Sequence, residues 1–220
     1  MESSGKRKRV YLIPGLGADS RLFRYQYALD YDFQKIEWIE AERGETLAAY
    51  AKRLSVGIDD SAPFSIVGCS LGGIVAIEMR KFLNPEKVVL ISSIKTAHEK
   101  SRITKIANAF KLYYLLNGHV FKWAAIWRRL FLGKLAREEE TLFNSMLRES
   151  HPFFMKWGLH RAITWDNEEE FADVVHIHGD CDKVFPFRNI RNAVRVHGGS
   201  HLMILNKHKE VNRHLEEALG

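Results

Sequence analysis

Short apolar segments bounded by turn residues recur in both flanks of the chain. They are rich in β-branched and aromatic residues, which favour extended strands. Several are apolar throughout, which is typical of strands buried on both faces of a sheet. The pattern predicts six strands, in the segments RVYLIPG, FQKIEWIE, FSIVG, KVVLISS, VVHIHG and AVRVHGG.

Segments with helical periodicity lie between these strands. In ETLAAYAKRL the apolar residues fall at i, i+3, i+4 and i+7 and so share one helical face; they are Leu47, Tyr50, Ala51 and Leu54. The segments IVAIEMRKFL and KEVNRHLEEAL are predicted to form helices as well. Strands that alternate with helices predict an α/β fold, with a mostly parallel sheet covered by helices on both faces.

A helix-rich segment without a strand signal interrupts this alternation. It is unusually aromatic, with Phe110, Tyr113, Tyr114, Phe121, Trp123, Trp127, Phe131, Phe143, Phe153, Phe154 and Trp157. Inserted between two strands, it is expected to cap the strand ends, where open parallel sheets bind their ligands. The sequence therefore predicts a flexible basic tail at 1–9, a core formed by 10–94 and 166–220, and an all-helical cap at 95–165.

The composition is that of an ordinary globular protein. The 220 residues are 46% hydrophobic and 27% charged, which suits one domain or one domain with an insertion. Two cysteines, Cys69 and Cys181, make no disulfide framework and are expected to be reduced. The N-terminus lacks an apolar run of signal length, and charged residues interrupt the apolar stretch at 112–132, so we expect a cytoplasmic protein without a transmembrane segment.

The positive charge is concentrated in the predicted cap. The net charge of the chain is +6, but 13 Lys and Arg stand against 5 Asp and Glu between Lys95 and Arg161, so the basic excess is local. No recognisable nucleic-acid module accompanies it, and the KRKR run at 6–9 is interpreted as a solvated end. We therefore expect no nucleic-acid partner.

A single serine lies between two glycines where a predicted strand becomes a helix, in SIVGCSLGGIVAIE. A side chain exposed on such a tight turn requires a strained backbone, and Gly68 and Gly72 remove the side chains that would clash around Ser70. The following helix directs its first amides to the same place, so the amide of Leu71 can stabilise an oxyanion. A glycine-rich turn without chemistry is the alternative interpretation of these five residues.

With its flanking strand and helix, this turn resembles the nucleophile elbow of the α/β-hydrolase family, and the resemblance extends from Val10 to Leu219. The segment IPGLGADSRLF resembles the oxyanion loop of that family, which implies that the amide of Leu16 is the second oxyanion donor. Pro14 stands where many members of the family carry a histidine. The chain starts almost at this strand, which implies a compact sheet of about six strands without the two leading strands of larger members.

Two later segments extend the resemblance. HIHGDCDKVFP resembles the acid turn of the family, which implies that Asp182 is the catalytic acid. HGGSHLM resembles the histidine loop, which implies that His201 is the base. Ser, Asp and His then follow in the chain order of the family.

These residue types fit nucleophilic catalysis. A serine hydroxyl needs a base to accept its proton, and an aspartate that fixes the histidine tautomer stabilises the imidazolium that forms. Alternatives remain for each role. Asp180 lies near Asp182 and could be the acid, and His197 or His178 could be the base. Cys69 beside the serine could be a nucleophile, although a small core residue is the simpler interpretation.

A metal site is the alternative from another class. His176, His178 and Asp180 alternate along one predicted strand and resemble the H-x-H-x-D pattern of metallo-hydrolases. That pattern needs a further histidine directly after it and ligands well downstream, whereas Cys181 follows here and 39 residues remain after it. We therefore expect neither a metal nor another cofactor.

The resemblance implies a serine hydrolase that cleaves a small ester or thioester through an acyl-serine intermediate. In the cap, we expect Trp123 and Trp127 to line the substrate site, and Lys122, Arg128 and Arg129 to attract an anionic substrate. The alternative is that the cap aromatics form its own core. The same scaffold also serves proteins without turnover, so a non-catalytic sensor that binds a small ligand is the second hypothesis. The acyl group, the leaving group, opening of the cap and the oligomeric state stay open.

Overall fold

A computed structural model describes residues 7–109 and 132–220. Its centre is a sheet of six strands in the order β2-β1-β3-β4-β5-β6, and every neighbouring pair is parallel. The predicted parallel sheet of about six strands is confirmed. The strands are β1 (Arg9–Ile13), β2 (Asp32–Lys35), β3 (Phe64–Cys69), β4 (Lys87–Ile91), β5 (Val174–Gly179) and β6 (Val194–Val196).

Helices surround this sheet. They are α1 (Leu47–Leu54), α2 (Leu71–Arg80), α3 (Arg102–Ala109), α4 (Arg137–Glu149), α5 (Pro152–Thr164), α6 (Met203–Asn206) and α7 (His208–Leu219). The predicted apolar face of α1 is buried, and the hydroxyl of Thr46 accepts from the amide of Ala49 at 3.1 Å to cap the helix. None of the helices in the described ranges combines the length and the apolar character needed to cross a membrane.

Two apolar layers cover the faces of the sheet. Every residue of β3 is buried, because its alternate side chains enter opposite layers. Helices α1, α2 and α5 contribute to the layer that contains Ile66, whereas α4 and α7 contribute to the layer that contains Val67. The central strands are thus buried on both faces, and their carboxyl ends form the edge at which Ser70 lies.

Both edge strands are shorter than the sequence pattern predicts. Strand β2 ends at Lys35, since its neighbour β1 ends at Ile13 and no other strand within 7–109 or 132–220 pairs with Trp38 and Ile39. Strand β6 ends at Val196, because Gly198 adopts a φ of 65° and turns the chain away from the sheet. Apolar runs at a sheet edge therefore overestimate the length of the strands.

The insertion between β4 and β5 is helical in its described part, which contains α3, α4 and α5. Among its described aromatic residues, Phe143, Phe154 and Trp157 contact the core of the protein. The Trp157 ring lies 4.5 Å from that of Tyr50, and its Nε1 donates to the carbonyl of Glu45 at 3.0 Å. The predicted helical insertion is confirmed, while its limits at 95 and 165 stay predictions.

Candidate active site

Ser70 occupies a sharp turn between β3 and α2. Its φ of 51° and ψ of −118° lie in a region that residues with side chains rarely adopt. The turn is held in place because Ser70 N donates to Ile91 O at 3.0 Å and the hydroxyl of Ser93 donates to Ser70 O at 2.7 Å. A Cβ on Gly68 would lie 2.6 Å from backbone atoms of Gly72 and Gly73. The turn therefore requires the small residues from which it was predicted.

The loop after β1 lies directly against this turn. A Cβ on Gly72 would lie 2.7 Å from the carbonyl carbon of Ile13 and would also overlap the carbonyl oxygen of Pro14. A Cβ on Gly15 would lie 3.3 Å from the Cβ of Ser70. The glycines thus allow two backbone segments from distant parts of the chain to approach each other beside the serine.

The two predicted oxyanion donors lie beside the same cavity as Ser70. Leu71 is the first residue of α2, where amides have no partner within the helix. Leu16 belongs to the loop after β1. Neither amide donates a hydrogen bond to another group within 7–109 or 132–220. Both amides are therefore available to a ligand.

Ser70, His201 and Asp182 are joined by two hydrogen bonds. His201 Nε2 lies 2.9 Å from Ser70 Oγ, and His201 Nδ1 lies 2.8 Å from Asp182 Oδ2. Because a carboxylate only accepts, the imidazole carries its proton on Nδ1, and Nε2 accepts from the serine hydroxyl. The backbone of the histidine loop packs closely on the end of β5, since a Cβ on Gly179 would lie 2.5 Å from the carbonyl carbon of Gly199.

The carboxylate of Asp182 is fully enclosed by donors. Its Oδ1 accepts from the amides of Val184 at 2.8 Å and Phe185 at 3.0 Å, and its Oδ2 accepts from His201. Burial alone would raise the pKa of this carboxyl. The charge and hydrogen bond of His201, with the neighbouring donors, outweigh burial and lower the pKa of Asp182 below its ordinary value. The group is therefore a carboxylate at neutral pH.

The alternative acid and base lie elsewhere. The Asp180 carboxylate accepts from Gly198 N at 2.7 Å and from Arg195 Nε at 2.9 Å. The exposed imidazole of His197 lies 3.3 Å from the same carboxylate and forms no hydrogen bond with Ser70. His178 is buried against the acid loop, where its Nε2 lies 2.8 Å from the carbonyl oxygen of Phe185.

The thiol of Cys69 is also placed unfavourably for chemistry. The residue is 2% exposed and belongs to the apolar layer on one face of the sheet. Burial, followed by the negative charge of Asp182, raises the pKa of the thiol to about 12. A protonated, enclosed thiol is a poor nucleophile.

The three candidate metal ligands do not converge. His176 and His178 are hydrogen-bonded to each other, with 3.0 Å between Nε2 and Nδ1, whereas Asp180 is paired with Arg195. Among the residues that the structure describes, no group of three or more His, Cys, Asp or Glu side chains could hold a metal ion.

An apolar cavity of about 230 Å³ opens beside Ser70 and His201. Its walls come from distant parts of the chain, including the inserted helices α4 and α5: Leu22, Phe143, Leu159, Ala162, Val184 and Phe185. Sequence reasoning missed most of these residues, because apolar residues on a cavity wall look like any other core residues. The sequence indicates Phe143 only as one of the many aromatic residues of the predicted cap, without a role in the cavity.

The predicted substrate-binding residues Trp123, Trp127, Lys122, Arg128 and Arg129 lie outside the described residues. A second cleft of about 380 Å³ shares Ala18 with the catalytic cavity. It carries four carboxylates, Asp19, Glu37, Glu40 and Glu149. Arg21 forms ion pairs with two of them, Asp19 and Glu149, and Glu37 and Glu40 are not paired with it.

No protein-family model matches the chain, and no curated protein matches its sequence. Solved structures do resemble it. MenH from S. aureus has a TM-score of 0.78 at 14% identity, and the match covers 99% of this chain and 95% of that one. The esterase EaEST from Exiguobacterium antarcticum has a TM-score of 0.74 at 15% identity, with 98% and 93% covered.

A thermophilic esterase from Thermogutta terrifontis is also similar, with a TM-score of 0.69 at 15% identity over 98% of this chain and 90% of that one. Likeness at such low identity concerns the fold and not the activity. The chain has the α/β-hydrolase fold, as its resemblance to that family implies.

Proposed function

We propose that this protein is a serine hydrolase that cleaves a small carboxylic ester or thioester through an acyl-serine intermediate. The observation that carries the proposal is the hydrogen-bonded chain from Ser70 through His201 to Asp182, at 2.9 Å and 2.8 Å. It lies at a strained turn beside an apolar cavity and two free amides. These are the parts that acyl transfer to a serine needs.

In the acylation step, Ser70 Oγ attacks the carbonyl carbon while His201 Nε2 takes the hydroxyl proton. The oxygen of the tetrahedral intermediate lies between the amides of Leu16 and Leu71. His201 then returns the proton to the leaving alcohol or thiol, and the carbon–oxygen or carbon–sulfur bond breaks. The Asp182 carboxylate stabilises the imidazolium during this transfer.

Deacylation uses the same groups. His201 takes a proton from water, the hydroxide attacks the acyl carbon, and the proton returns to Ser70 as the acid leaves. No cofactor takes part in this sequence. The proton moves only between the substrate, the water and two protein side chains.

The cavity favours a small, neutral acyl group. At about 30 Å³ for each solvent-sized group, its volume holds roughly eight non-hydrogen atoms. The apolar walls gain from burying an alkyl or aryl chain. In the neighbouring cleft, the carboxylates of Glu37 and Glu40 are not paired with Arg21, so they favour a neutral or cationic leaving group over an anionic one.

A fluorophosphonate probe tests the proposal, because it reacts with an activated serine hydroxyl. We expect the wild-type protein to be labelled and to hydrolyse p-nitrophenyl esters, and Ser70→Ala to be unlabelled although folded. A folded wild type that resists labelling and binds a small ligand without turnover would instead support the sensor hypothesis. A series of acyl chain lengths on p-nitrophenyl esters and on thioesters then identifies the acyl and leaving groups.

A further inference from the structure

Two buried histidines on β5 form a chain that the proposed chemistry does not use. His176 is 1% exposed and His178 is 0% exposed. His176 Nε2 lies 3.0 Å from His178 Nδ1, and His178 Nε2 lies 2.8 Å from the carbonyl oxygen of Phe185. The chain leads directly to the loop that carries Asp182.

The direction of these hydrogen bonds follows from their partners. The carbonyl of Phe185 only accepts, so His178 carries its proton on Nε2. Burial lowers the pKa of both imidazoles, which keeps them neutral beside Lys95 and Glu99. His178 Nδ1 therefore accepts from His176 Nε2–H.

His178 Nε2 lies close to two residues of the loop that carries the catalytic acid, Phe185 and Asp182. The Phe185 carbonyl that it holds belongs to the residue whose amide donates to Asp182 Oδ1 at 3.0 Å. The same Nε2 lies 3.5 Å from Asp182 Oδ2, the oxygen that accepts from His201. One imidazole N–H thus faces both the backbone that holds the carboxylate and the carboxylate itself.

We infer that His178 is a positioning residue for Asp182, which orients the carboxylate towards His201 by holding the carbonyl of Phe185. The inference rests on the proposed function. The side chain of Phe185 lines the cavity, and its ring centroid lies 5.7 Å from that of His201.

The test compares His178→Phe with His178→Gln. Phe fills the volume but cannot donate to Phe185, so Asp182 shifts relative to His201. Because small misplacements of catalytic groups cost up to about 100-fold, we expect kcat on a short p-nitrophenyl ester to fall about 10- to 100-fold, with KM within about twofold of wild type. Gln places an amide N–H near the position of imidazole Nε2, and we expect it to restore kcat to within about threefold.

His176→Leu is the matched control. It removes the other member of the same buried pair and leaves His178 Nδ1 unpaired, but it keeps the donor to Phe185. We expect a lower Tm with kcat within about threefold of wild type. A loss of kcat in His176→Leu equal to that in His178→Phe would show a general packing effect and overturn the inference.

The double variant His176→Leu/His178→Phe covers the case in which His178→Phe does not fold. It leaves no unpaired imidazole in the core, so it is expected to fold and to show the same loss of kcat. If the wild type is active and either His178→Phe or the double variant is equally active, the inference is overturned while the proposed function stands. A wild-type protein that neither reacts with the fluorophosphonate probe nor hydrolyses esters would overturn the inference and the proposed function together.

Discussion

Replacing Gly72 by alanine tests how tightly the serine turn and the loop after β1 fit together. The added Cβ would lie 2.7 Å from the carbonyl carbon of Ile13 and would overlap two carbonyl oxygens. Ordinary contact begins near 3.4 Å, so the loop has to move by about 1.2 Å to clear the nearest carbonyl oxygen. The atoms that the added Cβ would overlap belong to the backbone of Ile13 and Pro14, so a change of side-chain rotamer cannot relieve the overlap.

The size of the effect follows from this displacement. Overpacking of a well-packed site costs about 1–3 kcal/mol, and at about 2–4 °C per kcal/mol for a chain of this size the Tm falls by about 2–12 °C. Movement of the loop also displaces the amide of Leu16. Loss of one oxyanion donor costs about 100- to 1000-fold in kcat, so we expect Gly72→Ala to lose at least about 100-fold.

Gly57→Ala is the matched control, since it makes the same chemical change where space is available. A Cβ at Gly57 would meet only Ile36 Cδ1, at 3.8 Å. We expect this variant to be neutral or up to about 1 kcal/mol more stable, with unchanged kcat. Urea unfolding measures the stability of each variant, and ester hydrolysis measures its kcat. Gly72→Ala with stability within about 0.5 kcal/mol of wild type and an unchanged kcat would refute the reasoning.

Three further predictions concern the cavity, a buried lysine and the two thiols. Ala162→Phe places a ring in the cavity of about 230 Å³, so kcat/KM for esters with long acyl chains should fall at least about tenfold while acetate esters change little; a uniform loss would contradict this. Burial lowers the pKa of Lys100 from 10.5 to about 8, so the folded state releases a proton that the unfolded state keeps between these pH values. The free energy of unfolding should therefore rise with pH across this window in wild type relative to Lys100→Met, as measured by urea titration, and parallel curves would contradict it. Iodoacetamide should alkylate the exposed Cys181 and spare Cys69, whose pKa burial raises to about 12; mass spectrometry should find one adduct per chain, and none in Cys181→Ser.

The turn around Ser70 could be predicted because its requirements are local. The strained backbone at Ser70 requires small residues two positions before and after it. Gly68 and Gly72 meet this requirement within five consecutive residues. The roles of Asp182 and His201 were predicted from the resemblance of their segments to the α/β-hydrolase family. The proximity fits the topology, since these residues follow β5 and β6 and parallel strands end at one edge of the sheet.

The cavity walls and the role of His178 could not be predicted in the same way. Phe143 and Ala162 reach the cavity from helices whose placement depends on tertiary packing, and their sequence pattern equals that of a core helix. His178 donates a hydrogen bond to the backbone carbonyl of Phe185. Every residue has such a carbonyl, so the residue type at position 185 gives no indication of this hydrogen bond. The periodicity of strands also misjudged the lengths of β2 and β6, because partners and not propensity end an edge strand.

The most direct test of the account is mass spectrometry of the protein after a brief reaction with p-nitrophenyl butyrate and an acid quench. We expect a mass increase of one butyryl group, located on the peptide that contains Ser70 and absent from Ser70→Ala. Turnover that persists in Ser70→Ala, without an acyl adduct on the wild-type peptide, would contradict it.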